Sequence, residues 1–365
     1  MLKRLYVHNY KCLVNFEINF DQDISLFLGA NGSGKSTVFE VLAKLRRVIV
    51  GEEKVTNVFD YADTPRWLGN NPVEKTEVSF ELDIEINKLI FKYLLIIEFV
   101  NWTKEVSVKE ESLMLDGDIY IQSKGEKTVS FVSNNEEYSF DNSRSSIGRH
   151  FPSKKFLNYL RSLFIVRIKP YEMLSTIHKA NSEVQTDFSN FAEWFAHLNE
   201  KYRREISVFE NVMRDILPRF DIFHIEQAGQ VKVLQVDFED SNDKKKIVTY
   251  YFNELSDGQK ILIALYALIY CAPENSIICI DEPENFLALP EIQPWLNELR
   301  DKCKERNLQA LLISHHPSLI NFLAPDSGYW FSRKENHTTF EKITEQEEDG
   351  LSLAQLIEMG WIYGD

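Results

Sequence analysis

The chain has 365 residues, of which 44% are hydrophobic and 27% charged, and a formal net charge of −15 at pH 7. That length permits one large α/β domain with an inserted lobe, and the apolar share is ordinary for a globular protein. The acid surplus excludes attraction of the whole surface to nucleic acid beyond a Debye length of about 8 Å, and no window approaches the ~20 uninterrupted apolar residues of a membrane span.

The first segment, LKRLYVHNYKCLVNFEINF (residues 2–20), enters a strand at once and lacks the apolar core of a signal peptide. An apolar strand, ISLFL (24–28), then runs into GANGSGKST (29–37). The pattern G-x-x-x-x-G-K-[ST] is filled by Gly29, Gly34, Lys35 and Ser36, with Asn31, Gly32 and Thr37 completing the loop. Glycines suit a backbone that must curl with its N–H groups facing phosphate, where side chains would obstruct. Lys35 is expected to reach the β- and γ-phosphates of a nucleoside triphosphate, and the Ser36 hydroxyl to complete a Mg²⁺ shell. A helix over Lys35–Ile49 is expected to add its positive N-terminal end.

Residues 51–249 read as an inserted lobe. In EVSFELDIEI (77–86), Val78, Phe80, Leu82, Ile84 and Ile86 alternate with mostly acidic residues, the pattern of a half-buried strand. Strand-like runs follow near 89–100, 105–109, 118–122, 128–132 and 137–140, separated by Asp-Gly, Lys-Gly and Asn-Asn, which predicts an antiparallel meander. From Phe188 to Leu217 apolar residues recur every three or four positions, predicting one long helix or a broken pair closed by Pro218. Strands are expected near 222–226, 231–238 and 246–252. Two basic stretches, Arg144 to Lys155 and Lys201 to Arg204, are candidates for a nucleic-acid track or for plain solvated faces.

LSDGQ (255–259) leads into the apolar helix KILIALYALIYCA, with Ser256 at the N-cap position. SIICIDEPE (276–284) is a buried strand ending in Asp281-Glu282, which reads as a Mg²⁺ carboxylate followed by a water-polarising one. ALLISHHPSLI (310–320) is another buried strand ending in polar residues. An acidic run at 345–349 reads as a solvated turn before a last helix. The four cysteines (Cys12, Cys271, Cys279 and Cys303) are scattered without metal spacing, which reads as reduced cytosolic thiols, and the eight histidines form no ligand cluster.

LSDGQ resembles the LSGGQ signature of ABC-type ATPases, 22 residues ahead of Asp281 as in that family. The LSDG variant and the N-terminal strand with its Asn9-Tyr10-Lys11 cluster are similar to the SMC, RecF and OLD branch. The resemblance implies an α/β fold: an ABC-type head, a mixed sheet flanked by helices, built from 1–50 and 250–365 around the insertion. It implies that Ser256, Gly258 and Gln259 contact the γ-phosphate held by a second copy, so that two ATP molecules are sandwiched between two heads. It assigns Asp281 to Mg²⁺, Glu282 to the attacking water, His315 (His316 being the neighbouring alternative) to the γ-phosphate, and 284–287 to a loop crossing the dimer interface. Gln122 and Gln185 are candidates for the family's Q-loop glutamine. Lys11 and Tyr10 are placed near phosphate and base or in local packing.

About 50 residues follow His315, too few for the Toprim nuclease domain of OLD proteins, so a nuclease is expected on a separate polypeptide. The chain is similar to short stand-alone ATPases of bacterial antiphage systems of the Septu- or retron-associated type. That implies a cytoplasmic, self-associating, ATP- and Mg²⁺-dependent sensor or scaffold beside a nuclease or toxin effector. The RecF likeness implies instead a DNA-processing ATPase. The long β-rich insertion speaks against an ABC transporter motor.

Overall fold

A computed structural model of the protein describes residues 1–51, 53–65, 75–100, 103–124, 128–131, 136–139, 141–147, 154–241, 246–344, 350–360 and 362–363. In chain order, the first third holds β1 (Leu2–His8), β2 (Phe16–Asn19), β3 (Ile24–Leu28), α1 (Lys35–Ile49), α2 (Val55–Val58), β4 (Lys75–Ile86), β5 (Leu89–Val100) and β6 (Glu105–Leu115). Then come β7 (Asp118–Lys124), β8 (Thr128–Phe131), β9 (Glu136–Ser139), α3 (Lys154–Arg161), β10 (Leu163–Val166) and β11 (Thr176–Ile177). The middle continues with α4 (Phe191–Lys201), α5 (Arg203–Ile216), β12 (Phe220–Ala228), β13 (Val231–Glu239), β14 (Ile247–Tyr251) and α6 (Asp257–Cys271). The last part holds β15 (Ile277–Asp281), α7 (Leu289–Glu305), β16 (Gln309–Ile313), α8 (Pro317–Ser327), β17 (Gly328–Lys334), β18 (His337–Lys342) and α9 (Leu353–Glu358).

The chain forms two compact units, Met1–Leu163 with Leu323–Asp365, and Phe164–Phe322. This is a partition by packing, and its boundaries are not those of a motif-bearing core (1–50 with 250–365) and an insertion (51–249).

The first unit contains an eight-stranded antiparallel sheet in the order β2-β1-β4-β5-β6-β7-β8-β9. Its β4–β9 part is the meander expected from the alternation. Val78, Phe80, Leu82 and Ile84 of β4 are buried, as are Phe91, Tyr93, Leu95, Ile97 and Phe99 of β5. The turn between them is Asn87-Lys88, both at positive φ as a two-residue hairpin requires. On the wetter face, Arg4 bonds Glu17 and Glu81 at 2.8 and 2.7 Å. β6 runs to Leu115, well past the expected end at 109. A second group of strands carries the candidate P-loop: β17 lies parallel to β3 and antiparallel to β18. Phe27 and Phe331 meet there at 4.8 Å between ring centroids.

In the second unit β15 and β16 are parallel neighbours, and β10 lies beside β15. Helix α6 is buried from Lys260 to Cys271. A helix apolar on every face has nowhere else to go. The long helical stretch is a broken pair: Tyr202 (φ −130, ψ 48) separates α4 from α5. Residues 188–190 lie outside the helix, Phe188 standing at φ 60. Strands β11, β12, β13 and β14 form a separate sheet centred on β13. The acidic run at 345–349 and the Arg149-His150 part of the first basic stretch lie outside the described residues.

The extra length of β6 has a specific cause. Glu111 is fully buried and accepts four hydrogen bonds: from Tyr93 Oη (2.8 Å), Ser145 Oγ (2.6 Å), Ser146 N (2.6 Å) and Ser146 Oγ (2.6 Å). Burial pushes this carboxyl above its ordinary range against the pull of those bonds. The strand therefore tolerates an acid in the core, and 145–146 is tied to the sheet. Glu111→Ala leaves four buried donors unpaired, a cost of about 3 kcal/mol or more. Thermal unfolding of the variant is expected to begin roughly 5–10 °C lower, and an unchanged midpoint would show the cluster to be dispensable.

Candidate nucleotide site

The residues singled out by the sequence fall into both units. In the first unit the fully buried β3 delivers the chain to Gly29 (φ 127), Gly32 (φ 80) and Gly34 (φ 106), so the loop turns through the left-handed region three times. Ala30, Asn31 and Gly32 are exposed at the tip, while Ser33, Gly34 and Lys35 are buried. A Cβ on Gly29 would stand 2.0 Å from the Phe331 carbonyl oxygen, and one on Gly34 would stand 2.3 Å from Thr338 Oγ1. Thr338 also donates to the Ser33 carbonyl at 2.8 Å, fixing the loop from the β18 side.

Lys35, only 6% exposed, turns its amine into the loop and donates to the Gly29 and Ala30 carbonyls at 2.6 and 2.9 Å. Ser36 and Thr37 open α1, with Ser36 exposed and Thr37 Oγ1 3.7 Å from Cys12 Sγ. A curled backbone with no room for a Cβ at Gly29 or Gly34, an ammonium in its concavity and a hydroxyl at the helix start fits a Mg²⁺-bound triphosphate. The N-terminal cluster packs locally. Tyr10 is fully buried with its hydroxyl on Glu40 (2.8 Å) and Asp63 (3.2 Å), and Lys11 bonds Glu40 at 2.5 Å.

In the second unit β15 ends in Asp281, whose side chain is 12% exposed. Glu282 follows in the left-handed region (φ 57), held there by its N–H on the Ile313 carbonyl of β16 at 2.8 Å. Its Oε2 accepts from Asn285 Nδ2 at 3.0 Å and from Arg167 Nη2 at 2.7 Å, and Arg167 Nη1 stands 4.0 Å from Asp281 Oδ2.

Glu284 joins the next strand end. Ser314 Oγ donates to its Oε1 at 2.6 Å and the His315 N–H also reaches it, while burial pushes the carboxyl up. The two histidines separate in role. His316 Nδ1 accepts the Ser318 N–H at 3.1 Å and so closes the first turn of α8, whereas His315 is exposed at the end of β16.

At the signature, Ser256 is the N-cap of α6. The Gln259 N–H donates to its Oγ, and Gln259 Oε1 accepts the Ser256 N–H at 3.0 Å, a reciprocal capping box. An ideal Cβ on Gly258 would be 3.1 Å from the Phe286 carbonyl, so the 284–287 loop lies against the signature turn. Buried Lys260 reaches the Pro170 carbonyl at 3.3 Å. Of the two Q-loop candidates, Gln122 donates to Glu110 at 3.4 Å and Gln185 accepts from Ser189 Oγ at 2.5 Å. The cation that meets Glu282 is Arg167, which no motif in the sequence singles out. The only signal for it was its place just past the apolar run Leu163–Val166, a strand-end position like those of Asp281 and Ser314.

A protein family described as "AAA domain, putative AbiEii toxin, Type IV TA system" matches residues 24–321, well over half the chain. The chain belongs to this family. Among curated proteins none matches the sequence. Of solved structures, an SMC head bound to the C-winged helix domain of ScpA is 12% identical, with 94% of this chain and 98% of that one covered and a TM-score of 0.52. An SMC head domain from Thermotoga maritima is 15% identical over the same shares, with a TM-score of 0.46. At such identity the likeness establishes the fold alone, an α/β fold with helices on mixed sheets. Among the described residues, no helix is long and apolar enough to cross a membrane, and all four cysteines are buried and outside any disulfide.

The three loop glycines differ in what a side chain would meet, and that ranks their variants. Gly29→Ala drives a Cβ into backbone and is expected to abolish folding or nucleotide binding. Gly34→Ala, at φ 106, meets the Thr338 side chain instead. Gly32→Ala has open space around it and carries only the left-handed penalty of about 1–2 kcal/mol. Thermal unfolding and nucleotide titration of the three variants check the order, and equal effects would refute it.

Proposed function

We propose that the protein binds and hydrolyses ATP with Mg²⁺, that two copies close on two nucleotides, and that this closure controls a separate nuclease or toxin effector in bacterial antiphage defence. The observation that carries the nucleotide reading is the P-loop of the first unit, where three glycines at positive φ wrap the buried Lys35 amine. In this reading Lys35 holds the phosphates, with the backbone N–H groups of Gly29, Asn31, Gly32, Gly34 and Thr37 around them, and Ser36 and Asp281 belong to the Mg²⁺ shell. When bound, Mg²⁺ draws charge off the β- and γ-phosphate oxygens. Glu282 polarises the attacking water, and exposed His315 steadies the charge that develops on the γ-phosphate.

Ser256, Gly258 and Gln259 stand at the N-terminus of α6, where free N–H groups favour an anion, and serve the nucleotide of the second copy. The nucleotide-binding core is then 1–50 with 250–365, and 51–249 is the lobe that meets the effector in the cytoplasm. Support for an effector comes from the toxin–antitoxin term in the family description and from the related head captured with a domain of another protein. The charge of −15 opposes duplex DNA as the main ligand.

One observation favours a RecF- or SMC-like DNA reading. Lys201, Arg203 and Arg204 are all exposed where α4 breaks from α5, a local basic patch.

Mass measurement by light scattering, with and without Mg·ATP and duplex DNA, tests both. Glu282→Gln is expected to accumulate as an ATP-bound dimer with turnover reduced at least about 100-fold. Lys35→Ala is expected to bind no nucleotide, and Ser256→Arg to bind it without dimerising. A Glu282→Gln variant that hydrolyses at the wild-type rate overturns the catalytic assignment. DNA-stimulated turnover transfers the case to the second reading.

A further inference from the structure

Arg167 is the first residue past β10, the strand beside β15, and it takes no part in the roles proposed above. Its guanidinium makes a 2.7 Å bond to Glu282 Oε2 and lies 4.0 Å from Asp281 Oδ2. With Asn285 Nδ2 on the same Glu282 oxygen, both lone pairs of that atom are engaged. A carboxylate so occupied has no room on that oxygen for a water proton. The backbone around Arg167 is fastened, its N–H on the Thr186 carbonyl at 2.7 Å and the Lys169 N–H on the Asp187 carbonyl at 2.9 Å. The side chain itself is 57% exposed. The guanidinium is therefore free to swing into solvent on a fixed base.

We propose that Arg167 is an internal counter-ion of the Asp281–Glu282 pair, occupying the carboxylates until a divalent cation displaces it and frees Glu282 for the water. The energetics allow exchange in both directions. An exposed ion pair is weak, and a doubly charged hard cation prefers carboxylate oxygen to a guanidinium's hold on it. A buried pair would have locked the site. The inference rests on the nucleotide reading of the site and adds its regulation: Mg²⁺ competes with a residue of the protein itself.

The test is a MgCl₂ titration of the fluorescence of mant-ATP bound to the full chain, which reads binding without turnover. Arg167→Gln is expected to lower the half-saturating Mg²⁺ concentration about two- to fivefold, the strength of one exposed ion pair. Arg167→Lys, which keeps the charge, is expected to stay near wild type. Lys169→Gln removes a neighbouring exposed charge and is expected to change nothing. An unmoved or raised midpoint in Arg167→Gln, or an equal fall in Lys169→Gln, overturns the counter-ion. A Mg²⁺ response that persists unchanged in Lys35→Ala overturns the nucleotide reading instead.

Discussion

At Gly29 the backbone leaves β3 so close to β17 that a single added carbon would lie 2.0 Å from the Phe331 carbonyl oxygen. Much of the first unit's chemistry depends on that approach. Because the two strands are pressed together through Phe27 and Phe331, the chain cannot continue straight and must rise and curl, and only glycine adopts the φ values that result. The curl then points the Gly29 and Ala30 carbonyls at one spot, and Lys35 is drawn into it. A loop of this shape is costly in chain entropy, so it is fastened from outside: Thr338 bonds the Ser33 carbonyl, and Thr338 N–H bonds the Cys12 carbonyl. The geometry of the loop is thus a by-product of strand packing.

In the second unit, Glu282 is one of the residues at which backbone strain is stored. A glutamate at φ 57 is disfavoured by roughly 1–2 kcal/mol and persists because its N–H is bonded to Ile313 and its carboxylate to Asn285 and Arg167. The parallel pairing of β15 and β16 sets this up. Both strands end at the same level, so the residues that follow, Glu282–Glu284 on one side and Ser314–His315 on the other, meet through the Glu284–Ser314 bond. A shift of register by one residue would turn every polar end group into the core.

Much of the architecture was readable because it obeys a period. The alternation of β4, the apolar strands before the P-loop and before Asp281, and the N-cap at Ser256 all appear where the pattern puts them. What escaped reading was whatever depends on a partner distant in sequence. The second half of β6 was hidden by Glu110-Glu111, since an acid pair looks like surface, and Glu111 is interior only because Tyr93, Ser145 and Ser146 supply donors from elsewhere. The hairpin at Asn87-Lys88 contains no glycine to announce it. The hydrogen bond from the Ser318 N–H to His316 Nδ1 is another contact that no spacing reveals. Arg167, a lone arginine after four apolar residues, gains meaning only when β10 is seen beside β15.

The three groups of proposed ligands share one property within their own units. The Lys35 ammonium is bonded to loop carbonyls, Ser256 and Gln259 are bonded to each other, and Glu282 is bonded to Arg167 and Asn285. Each bond uses up the donor or acceptor that the assigned chemistry needs. The Ser256–Gln259 bond is worth only about 0.5–1.5 kcal/mol net, the exposed Arg167–Glu282 pair about as little, and the Lys35 ammonium, now on neutral carbonyls, gains a full charge partner when phosphate enters. Exchange is therefore downhill where a multiply charged ligand enters, and uphill where a weakly charged one does. Groups that are satisfied in this way discriminate by charge before they discriminate by shape.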